Sequence, residues 1–379
     1  MKKKTNATCF PFIKGGISLL LVFFQVISLV HAQSQYMDYF TATPIVDKLS
    51  STCWGEPQVG ARDQSNGLED KGMTQWAYWD GAIIKGEDNL YHMFASRWDQ
   101  AKGHTGWMSD SHAVHATSPN LYGPYTEKGL CFTDNNGLGH NVGILQLRDG
   151  DASGKKYAII LSGGLTPGSG RIYGANSLNG PWTYLGDTQI ASGQYSSTLS
   201  TGNNFRVILR PDGKYEAIVS NFQLATSDNI LGPYTVQTPS LFSQIPDCPI
   251  YNMEDPLLFY SGDRYHAVFN KWDTRKAYHF TSSNGVDNWK MEKGNAYDPT
   301  VDFIRYSNNT VNHWRKLERP FAYIENGHVV AMTFAAIDVE KEQDLANDLH
   351  GSKIIVVPFD GVKLDSAYSS PTFKKANKR

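Results

Sequence analysis

Cysteine is scarce in this chain: 379 residues hold four, Cys9, Cys53, Cys131 and Cys248, and none forms a CxxC pair. That excludes zinc ribbons and thioredoxin-like redox chemistry. A charge excess of either sign is also missing. Lys and Arg number 35 against 37 Asp and Glu, a balance that argues against nucleic acid as the main partner. Long apolar runs are missing too, apart from ISLLLVFFQVISLV near the N-terminus. That run follows the basic stretch MKKKTNATCFPFIKGG and ends before a Val-x-Ala site at Ala32. It is short for a membrane span, which needs about 20 residues. It reads instead as the core of a secretory signal peptide. The expectation is that residues 1–32 are removed and that the remainder is periplasmic or secreted, with no membrane contact. Cys9 precedes the apolar run, so no lipid-anchor cysteine follows it, and the three remaining cysteines allow at most one disulfide. No long amphipathic helix interrupts the chain, because Gly and Pro punctuate it too often. The acidic turns KGEDN and RDGD lack calcium-loop spacing. His112 and His115 would fall on opposite faces of a strand, so no protein-built metal site is expected.

Aromatic residues are abundant: 9 Trp, 20 Tyr and 18 Phe. With export, this profile is common among carbohydrate-active proteins. The stronger signal is repetition. Residues 252–272 read NMEDPLLFYSGDRYHAVFNKW: a polar pair, an apolar run, a Gly-Asp turn and a second apolar run. This is a hairpin pattern. It recurs at 79–96 (WDGAIIKGEDNLYHMFAS), 140–161, 203–219 and 318–335 (ERPFAYIENGHVVAMTFA). The residues that open the first strands are Asp80, Asn141, Asn204, Asp255 and Arg319, at steps of 61, 63, 51 and 64 residues. A second element follows the hairpins, as SPNLYGPY, SLNGPW, SDNILGPY and SNGVDNW. A unit of about four strands repeated five times predicts an all-β fold, a five-bladed β-propeller of antiparallel four-stranded blades around a central channel. Residues 33–75 are read as an extension packed on the propeller and 76–379 as the propeller itself. Either that extension or KIIVVPF, at 353–359, is expected to supply a strand that closes the ring.

Inner strands of a propeller converge on its axis. The five aligned positions, with the preceding Trp79, His140, Glu254 and Glu318, should therefore ring one end of the channel. Such a site holds four carboxyl groups, a guanidinium, amides and an imidazole. Carboxyl groups held close raise one another's pKa, so that one stays protonated while another stays ionised. Glycoside hydrolysis needs this pairing: one group protonates the leaving oxygen and the other activates water or attacks the sugar.

With YWDGAII at blade one, MEDP at 253–256 and LERP at 317–320, the chain resembles the five-bladed β-propeller glycoside hydrolases, family 43 and relatives such as families 32, 62 and 117, in their exported bacterial form. The resemblance covers about residues 76–360. It implies that Asp80 is the general base or nucleophile, that Asp255 tunes the acid, and that Glu318 is the acid. A family 117-like arrangement would give the acid role to a histidine, with His313 near in sequence, and Glu254 competes for either role. Asn141 and Asn204 depart from family 43, where an Asp would stand. The implied activity is exo-acting, inverting cleavage of a plant or algal poly- or oligosaccharide, with no cofactor beyond a structural cation on the axis.

Substrate contacts are expected from Trp79, Trp98 and Trp272 by stacking and from His104, His140, Asn141 and Asn204 by hydrogen bonding. Arg97, Lys271 and Arg319 could meet an acidic group, since guanidinium suits planar anions. Packing between blades competes for the tryptophans, and ion pairing for the cations. Two other classes stay open. One is a polysaccharide lyase using His140 and Arg319 on a uronic-acid glycan. The other is a glycan-binding propeller without catalysis.

Overall fold

The computed structural model describes residues 34–163, 169–191, 195, 199, 204–346 and 348–368. The expected signal peptide lies outside the described residues. Five sheets form a ring. Blade one is Trp76–Lys85, Tyr91–Asp99, His112–Ser118 and Thr126–Leu130. Blade two is Gly143–Gln146, Tyr157–Ser162, Gly170–Ala175 and Thr183–Asp187. Blade three is Arg206–Leu209, Tyr215–Ile218, Leu224–Ser227 and Tyr234–Val236, with Ile190–Ala191 added in parallel to its outer strand. Blade four is Met253–Ser261, Arg264–Lys271, Lys276–Ser282 and Lys290–Met291. Blade five is Lys316–Glu325, His328–Ile337 and Ser352–Pro358. Each inner strand contacts the next, and that of blade five returns to that of blade one.

The five interfaces between blades carry the core. Phe94 of blade one meets Val142, Ile159 and Tyr173 of blade two. Ile160 and Ile172 meet Phe205 and Tyr215 of blade three. Phe222 meets Phe269 and Phe280 of blade four. Val268 meets Phe334 and Val357 of blade five, and Tyr323 and Ile354 of blade five meet Ile83 and Met93 of blade one. Strands here read as near-continuous apolar runs because both faces are covered by neighbouring blades.

KIIVVPF is not an addition after blade five. It supplies that blade's third strand, and its outer edge is covered by the N-terminal segment. Phe40 bridges Phe359, and Leu68 bridges Ile354 through paired backbone bonds of 3.0 and 3.1 Å. Between them the Asn66 amide donates to the Val356 carbonyl at 2.9 Å and accepts from its N–H at 3.0 Å. A side chain thus completes the missing ladder rung. The helix Gly361–Tyr368 packs under the same blade, with Asp365 accepting from Ser261 and facing His328. Among the described residues Cys53, Cys131 and Cys248 are all free.

Two histidine pairs sit at equivalent places in blades one and four: His92 with His115 at 2.8 Å, and His266 with His279 at 2.9 Å. Burial holds His266 down to about 3 and His115 to about 4, and pushes His279 well below its ordinary value. The unfolded chain therefore binds protons before the folded one does. Urea unfolding should show stability rising with pH from about 4 toward about 6.5, the ordinary histidine value. An Asn66→Ala variant should lose about 1–3 kcal/mol, because it strands both polar groups of Val356.

Candidate functional site

The residues that open the inner strands share one backbone feature. Asp80, Asn141, Asn204, Asp255 and Arg319 all have positive φ, between 50° and 69°. In blades one, four and five the strand register also shifts there, between Asp80 and Ala82, Glu254 and Leu257, and Glu318 and Phe321. The bulge turns each side chain off the sheet and onto the axis. Asn and Asp tolerate this conformation. Arg319 does not, and it is held there by its contacts.

Those contacts close the ring. Arg319 Nε donates to Asp80 Oδ1 at 2.9 Å, and Nη1 donates to Asn204 Oδ1 at 2.7 Å and to Asp255 Oδ1 at 3.3 Å. Its backbone N–H donates to Asp255 Oδ2 at 3.2 Å. Asn141 Nδ2 donates to the same Asn204 oxygen at 2.7 Å, and Asn204 Nδ2 to Ser220 Oγ at 3.2 Å. Asp80 Oδ2 accepts from Ser96 Oγ and from the Val142 N–H. Burial works to raise the Asp80 carboxyl, but Arg319, His140, Arg206 and Ser96 outweigh it, so it stays below its ordinary range.

Above this floor lies a cavity of about 290 Å³. One wall is aromatic. Trp79 and Trp98 lie 6.1 Å apart, His104 stands edge-on to Trp79 at 5.1 Å, and Trp107 stacks on His140 at 4.9 Å. The other wall, from blades four and five, is acidic. Glu254, Asp255 and Glu318 each bring a carboxylate oxygen within 4.8 Å of the others. Burial, then Asp255 and Glu318, push Glu254 up to about 8. Burial also raises Glu318, against the pull of Lys341, which pairs with its Oε2. Glu318 Oε1 is enclosed and has no partner among the described residues. Lys341 also lies 5.4 Å from the Trp79 ring centre.

His140 occupies the aromatic side, next to blade two. Ser111 Oγ donates to the Gly139 carbonyl at 3.1 Å and lies 2.8 Å from His140 Nδ1. With its proton so engaged, Ser111 accepts from Nδ1–H, which leaves Nε2 carrying the lone pair. Burial lowers His140 to about 4, with Asp80 opposing, so the imidazole is neutral near pH 7.

Trp79, Trp98, His104, His140, Asn141, Asn204, Glu254, Asp255, Glu318 and Arg319 all border this cavity. Asp80 lies beneath it, 1% exposed. The structure does not bring four other candidates to the cavity wall. His313 is half exposed and faces Asp302 at 3.3 Å, because the 298–315 loop carries it outward from blade five. Arg97 pairs with Glu127 and lies over Trp76 at 3.8 Å; alternation along its strand turns it away from the side Trp98 faces. Lys271 pairs with Asp273, and Trp272 is 46% exposed at the end of its strand. Lys341, Trp107 and Ser111 were missed by sequence reasoning. Trp107 stands beside His104 in GHTGW, so its loop was visible. Lys341 sits in a short turn, Lys341–Gln343, that no repeat marks.

No family model matches the chain, and no curated protein does. Solved structures do. A family 117 glycoside hydrolase of the marine bacterium Zobellia galactanivorans superposes with a TM-score of 0.53 at 15% identity, over 83% of this chain and 96% of that one. A family 43 β-1,3-galactosidase gives 0.49 at 13% identity, over 83% of this chain; the match spans 60% of that longer chain. A putative exo-β-1,3-galactanase of Bifidobacterium bifidum gives 0.47 at 12%, over 74% and 88%. At these identities the shared property is the fold, the five-bladed propeller.

Removing Asp80 would leave Arg319 Nε without its acceptor and Asp255 as the one carboxylate bonded to that guanidinium among the described residues. Asp80→Ala should destabilise by about 3–5 kcal/mol in urea unfolding, the usual cost of breaking a buried pair. The double variant with Arg319→Leu should cost less than the sum of the two singles.

Proposed function

We propose that the protein is an exported glycoside hydrolase that removes single sugar units from the end of a poly- or oligosaccharide. The observation that carries this is the division of one small cavity into two chemical poles. On one side a carboxyl group holds its proton to about pH 8. On the other an imidazole nitrogen is unprotonated above an ionised carboxylate. Three carboxyl groups within 4.8 Å of one another form a single pole. An acid and an opposed base need more room than that, roughly 6.5–9.5 Å when water attacks directly. The opposed group must therefore come from blades one and two.

In this reading Glu254 protonates the leaving oxygen. Lys341 pairs with Glu318 and opposes the upward push of burial there, while Glu254 holds its proton to about 8. His140 Nε2 orients and deprotonates water, and the charge of Asp80 beneath it stabilises the imidazolium that forms, as a carboxylate does in a triad. Trp79, Trp98 and Trp107 give apolar faces for a sugar ring. The cavity volume sits at the low end of the roughly 300–1,000 Å³ typical of ligand pockets, which suits one terminal residue better than a threaded chain. Exposed Tyr251 and Trp272, next to the Asn252 that precedes the blade-four inner strand, would carry the leaving portion. The lyase alternative needs Arg319 to neutralise a uronate, but its Nε and Nη1 are committed to Asp80, Asn204 and Asp255, and only the enclosed Nη2 is left.

Glu254→Gln tests the assignment, because the amide replaces a group already neutral. The variant should fold normally and bind oligosaccharide, and its turnover should fall by about a hundred- to ten-thousand-fold. Retained turnover would remove Glu254 as the acid; binding with no turnover in the wild type would favour the non-catalytic reading. Wild-type turnover should decline as pH rises through about 8, where Glu254 loses its proton. The products should show no ultraviolet absorbance of the kind elimination creates.

A further inference from the structure

One layer below the ring, the residues two places on from the five ring positions are Ala82, Gly143, Arg206, Leu257 and Phe321. Four are small or apolar and one is an arginine. A cavity of about 40 Å³ lies at this level, bordered by Asn141, Gly143, Arg206, Leu257 and Phe321. It is separate from the catalytic cavity, which Arg206 does not border.

Arg206 is 9% exposed, and its Nε and Nη2 are enclosed with no acceptor. Among the described residues it forms no ion pair or side-chain hydrogen bond. A guanidinium stays charged and can only donate, and an uncompensated buried charge costs several kcal/mol. The carboxylates that act on it do not bond to it. Asp80 spends both oxygens on Arg319, Ser96 and Val142, and Asp255 spends both on Arg319. Arg319, meanwhile, repels it. So a donor-only group faces a cavity with no acceptor reaching it.

We propose that this axial cavity binds a small inorganic monovalent anion of the halide type, held by the Arg206 guanidinium. The space is about three times the 10–15 Å³ that one water needs. Water would satisfy the guanidinium, but of the bordering side chains named here only Asn141 offers an acceptor, its amide oxygen, so a second water hydrogen would face Leu257 and Phe321, whose side chains cannot accept it. A halide accepts from every side and donates nothing. It also offsets a second guanidinium nearby. Nothing in this site depends on what the upper cavity hydrolyses.

The decisive experiment is crystallisation of the full chain with bromide as the only halide, with data collected at the bromine absorption edge. An anomalous peak in the cavity, in contact with Arg206, is the expected result; ordered water without anomalous signal there overturns the proposal. In solution, the thermal midpoint of the wild type should rise with added chloride at constant ionic strength made up with gluconate, as mass action requires of a ligand bound only by the folded state. Arg206→Met should abolish that dependence. A wild-type midpoint indifferent to chloride, or a Met variant with an unchanged response, refutes the assignment. Should the variant fail to fold, the bromide experiment still decides.

Discussion

The arginine that crosses the axis, Arg319, is the contact on which the rest depends. Its guanidinium reaches blades one, three and four from blade five, and Asn141 of blade two joins through a shared Asn204 oxygen. A radial array of sheets buries apolar faces between blades, but that burial is non-directional and does not by itself fix where inner strands end. Hydrogen bonds from one planar, five-donor group do fix it. They set the floor of the upper cavity, hold Asp80 ionised, and keep Glu254 and Glu318 at a defined height on the blades beside it.

Ionisation follows from that floor. Asp80 and Glu318 are both almost fully buried, yet they shift in opposite directions. Asp80 has a guanidinium in bonding contact and donors on both oxygens. Glu318 has one oxygen on Lys341 and one on nothing. Desolvation is similar for both, so the partner decides. Burial, then two carboxyl neighbours, push Glu254 up to about 8, and among the described residues no bonded cation opposes them. Two groups with well-separated affinities for a proton are what acid–base hydrolysis needs, and here one ring of side chains produces both.

Much of the propeller was legible because its repeat is local. Each inner hairpin keeps an apolar run, a turn and a second run, and each first strand opens on a residue that strands disfavour. Asp80, Asn141, Asn204 and Asp255 stand at left-handed positions, which Asp and Asn tolerate and the usual strand formers do not. The aligned residues thus pointed to the ring before any coordinates. Blade five was harder. Its closing edge is made by Asn66 and Leu68, the first 290 residues from its partner, and by a side chain imitating backbone. No periodicity records such a contact. His313 misled for the opposite reason: nearness in sequence to Glu318 says nothing about a loop that leaves the blade.

Lys341 and Arg206 show where reading by pattern stops. Neither occupies a ring position, and their neighbours VEKEQ and FRVIL give no hint of function. What makes them matter is the count of partners each finds after folding. Lys341 finds one carboxylate, Glu318, and opposes the upward push of burial on it. Arg206 finds none, although it shares the axis with two. A half-buried lysine with a partner and a buried arginine with none among the described residues sit on either side of the same ring. Among the described residues no oxygen of Asp80 or Asp255 is free for the unpaired one, and freeing one would break the ring that holds the blades in register.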